Sequence, residues 1–373
     1  MDAIEVVGPF RGSSGYDRHT REFVRRFVGM GVRVQLHHLD GWSAPLPERA
    51  RERCFEELQA PVGAGVLLHF TMPNHARPRA GMRNINYTMF EADRIPAAWA
   101  ARAADHDCIV VPTASSRAAW VNRGIDPSRV RVSGLGVDAE FFAAGAPPLD
   151  IGTADGRSVA SFRHRFLNVA ELRPRKNHLG LLRCWIRATR PDDDAVLLLK
   201  TTANARELEM FRADLAEMQR RLGSTFADAA PVVFLPLTLR NEEMRALYKS
   251  ATHYLSLSKG EGWDQVMMEA AVAGLRPIAP RHSAYVEYLT DDDAELIDAA
   301  LTPAVFEGKL HDEDRLFFDG VQWWQPDEEK ATDLIRHIIA GKAPKPSPGE
   351  RIARDYSWDA AARSLLQILN NPQ

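Results

Sequence analysis

Ser256-Leu257-Ser258-Lys259-Gly260-Glu261-Gly262-Trp263-Asp264-Gln265-Val266-Met267-Met268-Glu269-Ala270-Ala271-Val272-Ala273-Gly274 is the stretch that decides the fold. An apolar strand run over 253–258 ends in a glycine-flanked turn and passes into a helix that begins near Asp264. A strand handing over to a helix through a short glycine-bearing turn is the βα unit of a parallel sheet. The N–H groups of Gln265, Val266 and Met267 at the helix start have no intrahelical acceptor and suit phosphate oxygens. Glu261 sits in the turn beside Gly262 and Trp263. Glu269 lies over a turn further along, where its two oxygens can accept from two vicinal hydroxyls. The bland alternative is one capping and one solvated glutamate.

The same rhythm extends outward in both directions. Strands are predicted over 166–170, 195–201, 232–237 and 276–279, with helices over 177–189, 206–222, 241–250 and 264–273. In the first half, strands are predicted over 4–9, 32–37, 66–70, 84–89, 108–112 and 130–135, and helices over 15–28, 47–58, 96–104 and 115–123. The Gly- and Pro-bearing stretch 143–163 separates the halves, and the proline-rich stretch 341–349 precedes a terminal helix broken near Ser357. The expectation is an α/β protein of two doubly wound Rossmann-like domains, 1–160 and 161–345, with 346–373 returning to the first. Ligands of such sheets bind beyond the carboxyl ends of the strands, which places the site in a cleft between the two domains.

Composition narrows the function. The 373 residues carry 47 Lys+Arg against 50 Asp+Glu, a net −3 that argues against a protein held on nucleic acid by phosphate neutralisation. No apolar run approaches the ~20 residues that span a bilayer, and the N-terminus lacks a signal-peptide pattern, so the chain reads as cytoplasmic. Cys54, Cys108 and Cys184 form no C-x-x-C pair, so neither a disulfide framework nor a thiolate metal site is expected. The acidic triplets 192–194 and 291–293 read as solvated turns, and no metal is expected. Arg18, Arg21 and Arg25 fall on one helical stripe with Arg26 beside it; this is either a solvated face or a loose contact for anionic lipid.

Two further loops carry chemistry. Glu171-Leu172-Arg173-Pro174-Arg175-Lys176-Asn177 follows the first strand of the second half, and its three cations in four positions can grip a pyrophosphate. No lysine precedes Lys176. Gly8-Pro9-Phe10-Arg11-Gly12-Ser13-Ser14-Gly15-Tyr16 joins the first strand to the first helix, and Gly12 and Gly15 permit close backbone approach to a ligand. It is not G-x-G-x-x-G, so a dinucleotide reading is weak.

Taken in order, these segments resemble the retaining glycosyltransferases of family 4, which have the two-domain GT-B fold. The resemblance spans nearly the whole chain. It rests on Glu261–Glu269 as an E-x7-E pair, Arg175-Lys176-Asn177, the Gly12/Gly15 loop, Gly134-Leu135-Gly136-Val137-Asp138 and Tyr356-Ser357-Trp358. It implies transfer of a sugar from a nucleotide diphosphate sugar to an acceptor hydroxyl without a cofactor, the acceptor being a glycan or a lipid-linked molecule. Glu261 would contact the donor sugar hydroxyls, Glu269 the ribose and Lys176 the diphosphate. The family's G-R-L arginine is replaced by Glu171, leaving Arg173 or Arg175 to serve. The family's N-terminal-domain His is absent from Tyr87-Thr88-Met89-Phe90-Glu91, which resembles a subgroup with Y-T-x-x-E. Glu91 then becomes the candidate to face the reacting centre, against a capping or ion-paired role; His69 reads as structural. A nucleotide-sugar 2-epimerase or hydrolase of the same fold, or a non-catalytic nucleotide-sugar or glycan binder, remains as the alternative.

Overall fold

The computed structural model describes residues 1–43, 46–48, 51–308 and 314–371. The chain forms two compact units, Met1–Val137 with Tyr356–Gln373, and Asp138–Asp355.

The first unit is a six-stranded parallel sheet ordered β2-β1-β3-β4-β5-β6. Its strands are β1 (Ala3–Gly8), β2 (Arg33–His38), β3 (Val66–Phe70), β4 (Arg83–Tyr87), β5 (Cys108–Val111) and β6 (Val130–Val132). Helix α1 (Gly15–Gly29) starts from a Ser14/Asp17 capping box and buries Phe23, Val24 and Phe27. The terminal helix Trp358–Asn370 packs on α1, with the buried Trp358 ring edge-on to Phe23 at 5.6 Å. Its carbonyls at Leu369 and Asn371 accept from the Arg83 guanidinium at 2.6 and 3.1 Å. Where the expected helix over 47–58 lies, the described residues hold only Arg53–Glu56 as α-helix.

The second unit repeats the plan with strand order β12-β11-β10-β7-β8-β9. These are β7 (His164–Val169), β8 (Ala195–Thr201), β9 (Val232–Pro236), β10 (His253–Leu255), β11 (Arg276–Pro280) and β12 (Glu295–Ile297). Ala195 to Leu199 of β8 are fully buried, as both faces of a parallel sheet demand. Helix α2 (His178–Ala188) lays Trp185 edge-on to Phe166 at 5.3 Å, with the indole N–H donated to the Ala230 carbonyl. An antiparallel pair, β13 (Ala299–Pro303) and β14 (Gln322–Pro326), lies outside the main sheet. Parallel β7 and β10 are neighbours although two βα units separate them, so the strand order reverses between them. Ligands of open α/β sheets bind at such a reversal, outside the carboxyl ends of the strands.

Both stretches expected to link the domains belong instead to the second unit. Within 143–163, Ile151, Val159 and Phe162 are buried and the Leu149 N–H donates to Ser250 Oγ. In the proline-rich stretch, Ser347 Oγ donates to the carbonyls of Ala271 and Leu275, both at 3.0 Å, and Gly349 lies so close to the Ala271 carbonyl that a Cβ would collide with it. The chain changes unit at Val137/Asp138 and at Asp355/Tyr356. Just on the first unit's side of these points, Val137 and Ser357 form a parallel bridge.

Candidate active site

The loop after β7 and the loop after β10 meet at the strand-order reversal. The Lys259 N–H donates to the Arg175 carbonyl at 2.7 Å, Asn177 Nδ2 to the Leu257 carbonyl at 2.9 Å and Ser258 Oγ to the Gly260 carbonyl at 3.1 Å. These bonds fix the turn that presents Glu261. Its carboxylate, 3% exposed, accepts from Lys176 Nζ at 2.6 Å and from Arg175 Nη1 at 3.1 Å. Burial opposes ionisation of Glu261, but the two cations outweigh it and hold its pKa down to about 2. Arg175 also donates to the Gly260 carbonyl at 2.9 Å. Arg173, by contrast, turns to Asp314 at 3.4 Å and Glu171 at 3.8 Å, so Arg175 is the arginine that joins Lys176.

Behind the turn stands a relay that the sequence did not signal. The Glu261 N–H donates to Ser283 Oγ at 3.1 Å. Ser283 Oγ lies 2.8 Å from His282 Nδ1, and His282 Nε2 lies 2.8 Å from the Ser258 carbonyl. A carbonyl requires a donor, so Nε2 carries the proton and Nδ1 accepts from Ser283. Burial lowers the His282 pKa to about 4, and the neutral ring stacks on Trp324 of β14 at 5.3 Å. The Trp324 N–H donates to the Lys259 carbonyl, so the β13–β14 pair buttresses the turn.

Helix α3 (Gln265–Val272) follows, headed by Asp264. The Met267 N–H turns back to the Asp264 carbonyl at 3.1 Å, which removes one of the three N–H groups expected to face a ligand. The Met267 side chain is fully buried, and the buried Trp263 ring packs inward, its N–H on Met268 Sδ and its face near Tyr288. Val266 and Gln265 are half-buried, and Gly262 is buried with the turn. Glu269, 3% exposed, accepts from the Tyr248 hydroxyl at 2.9 Å. Among the described residues three non-glycine residues have left-handed backbone: Asn177 (φ 55°), Asp264 (φ 57°) and Ser283 (φ 43°). Asn177 follows Lys176, Ser283 accepts from the Glu261 N–H and Asp264 lies three positions after Glu261, the clustering of local strain found at functional sites.

In the first unit a second cluster forms at the carboxyl ends of β1 and β4. Buried Asp17 accepts from the Gly12 N–H at 2.7 Å and from Ser43 Oγ at 2.7 Å, while Arg21 donates to the carbonyls of Phe10 and Gly12 at 2.7 and 2.8 Å. A Cβ at Gly12 would strike Ser43 and Asp17; one at Gly15 would meet nothing. Tyr16, quoted in the glycine loop but given no role from sequence, connects the cluster. Its hydroxyl lies 3.2 Å from Thr88 Oγ1 and accepts from the Met89 N–H at 3.1 Å. Desolvation pushes the Tyr16 phenol well up, and half-buried Glu91 adds to the shift. His69 is buried, accepts from the Arg77 N–H at 3.3 Å and is held neutral by burial. Three arginines of α1 are engaged within the unit: beyond Arg21's carbonyls, Arg25 pairs with Glu52 at 2.9 Å, and Arg26 with Glu22 and Asp359 at 3.1 Å. No described helix is long and apolar enough to cross a membrane.

No protein-family model matches the sequence, and no curated protein matches it either. Solved structures do match, along the full chain. Sucrose-phosphate synthase from Thermosynechococcus elongatus superposes with a TM-score of 0.65 at 13% identity, covering 99% of this chain and 98% of that one. HepE of Anabaena, solved in complex with UDP and glucose, gives 0.62 at 10% identity, with 99% of both chains covered. WaaG, a glycosyltransferase involved in lipopolysaccharide biosynthesis, gives 0.59 at 12% identity, covering 99% of this chain and all of the other. Two six-stranded parallel sheets, matched end to end at these identities, establish the architecture: the chain has the GT-B fold of these glycosyltransferases.

Proposed function

We propose that the protein is a retaining glycosyltransferase that moves a sugar from a nucleoside diphosphate sugar to an acceptor hydroxyl of a glycan, glycolipid or polysaccharide precursor. The observation that carries this reading is the Arg175–Lys176–Glu261 cluster at the strand-order reversal of the second unit. As the glycosidic bond breaks, negative charge accumulates on the departing diphosphate. Arg175 and Lys176, already oriented by Glu261, supply positive potential where that charge develops, without reorganisation at the moment of reaction. An ammonium has three N–H donors, so Lys176 can keep Glu261 and still reach a phosphate oxygen. Glu261 then accepts from donor-sugar hydroxyls, and Glu269, oriented by Tyr248, from the ribose. Glu91 is assigned to the reacting centre from the first unit. The support for a UDP-linked donor is HepE, which shares the fold and holds UDP and glucose. Retention of configuration rests on the family resemblance.

The test is a thermal-shift panel of UDP-glucose, GDP-mannose, ADP-glucose and TDP-glucose. A donor at 100 times its dissociation constant stabilises by ~2.7 kcal/mol, a clear rise in melting temperature. Stabilisation by none of the four overturns the reading. Product analysis with and without an acceptor alcohol then separates transfer from hydrolysis or epimerisation. Because side chains meet the leaving-group charge in this mechanism, turnover is expected to be unchanged by EDTA.

A further inference from the structure

Asp264 stands at the head of α3 with φ 57° and ψ 68°, a conformation that glycine adopts freely and that an L-residue enters against a steric cost. Its carboxyl is held, not mobile: Oδ2 accepts from the Tyr285 hydroxyl at 2.8 Å, whose oxygen lies 2.7 Å from Ser256 Oγ. The Tyr288 hydroxyl fixes the adjoining backbone through the carbonyls of Trp263 and Asp264 at 3.0 and 3.3 Å. The titratable and charged groups around it come from every neighbouring element. They are Glu261 in the same turn, Lys176 in the loop after β7, Tyr254 on β10, and Tyr285 and Tyr288 on the following short helix. Arg175 and Glu269 lie one residue further out, bound to Glu261 and Tyr248.

The cations of this group are already engaged: Arg175 and Lys176 both pair with Glu261, and the Asp264 carboxyl stands beside that pair. A diphosphate entering the same place adds at least two negative charges, and Glu261 stays ionised because both cations hold it. Asp264 is the one carboxyl of these two without a cation at bonding distance among the described residues, its bonded partner being a neutral phenol. Burial and the Glu261 carboxylate push its pKa up to about 6, close enough to neutrality for further negative charge to protonate it. Resting on the donor site proposed above, we infer that Asp264 is a proton-linked donor-recognition residue: diphosphate binding takes one proton from solvent onto its carboxyl, which then offers an O–H to the phosphate in place of a repelling charge.

The test is isothermal titration calorimetry at pH 7.5 with whichever nucleotide sugar stabilises most in the panel. Its diphosphate diester has no proton to exchange near neutrality. Repeating the titration in Tris, HEPES and PIPES, whose ionisation enthalpies differ, reads proton uptake directly. The wild type is expected to take up close to one proton, with affinity falling about tenfold per pH unit between pH 7 and 8.5. Asp264→Asn and Asp264→Gly, the second of which relieves the backbone, are each expected to take up none and to bind with pH-independent affinity over that range. Wild-type binding without uptake, or uptake that survives in either folded variant, overturns the inference and leaves the donor site standing. Absence of binding by any nucleotide sugar overturns both.

Discussion

Glu261 shows how much one residue depends on its neighbours. Its carboxylate is buried yet ionised only because Lys176 and Arg175 hold both of its oxygens. Lys176→Ala is expected to weaken nucleoside diphosphate binding at least tenfold while leaving nucleoside affinity nearly unchanged; equal affinity for the diphosphate would remove its role. Glu269→Gln is expected to cost ~1–3 kcal/mol in nucleotide binding, the scale of leaving a buried polar group unsatisfied. Glu261→Gln is expected to lower turnover more than binding. The histidines make a second residue-scale prediction. His19, His178 and His253 are pushed down to about 3, and His69 and His282 to about 4, chiefly by burial. The unfolded chain therefore takes up protons as pH falls below about 6.5, the ordinary His value, while the folded chain does not. Their contribution to stability is complete above that pH and is lost progressively toward pH 3–4. Urea melts at pH 7.5, 6 and 4.5 are expected to show a falling midpoint, and a flat profile would contradict the buried neutral rings.

At the scale of elements, two glycines of the recognised motifs behave oppositely. A Cβ on Gly136 would collide with the backbone of Ser357 and Trp358, which cannot move aside as a flexible side-chain end can. Gly136→Ala is expected to destabilise by about 1–3 kcal/mol, read as a lower midpoint in denaturant. Gly15 opens α1 with nothing around it, so Gly15→Ala is expected to keep the fold; a loss of donor binding in that variant would show that the ligand, not the protein, requires the glycine. The alternation of apolar runs and helical periods made every strand of both main sheets legible except β12, a three-residue strand beyond β11. The β13–β14 pair was invisible because its partners are separated by a long connection and show no turn signal between adjacent strands. Lys176, Glu261 and Glu269 were legible because each sits in a glycine- or proline-marked loop or on the helix after it. His282 and Ser283 were not, since their partners Ser258 and Glu261 lie 24 and 22 positions away in sequence with no periodic relation. Tyr16 was in plain view, yet its bonds to Thr88 and Met89 span 72 and 73 positions.

For the whole molecule, the terminal helix is part of the first unit's core. Truncation after Asp355 is expected to uncover Phe23 and the rest of the α1 face, bind a hydrophobic dye, and abolish activity, while hydrogen exchange of the second unit stays protected. A truncated protein with full activity and unchanged exchange would show that Trp358 contributes nothing essential. The division of the chain also has a consequence for its birth. Because the first unit is closed by Tyr356–Gln373, Met1–Val137 waits for a segment made after the whole of Asp138–Asp355. All of Asp138–Asp355 is translated before the first sheet receives its final helix, so the unit begun first is the one whose residues are completed second. Until Tyr356–Gln373 has been made, the nascent chain presents the α1 face to the cell uncovered, and a stall ahead of that segment leaves the first unit unfinished.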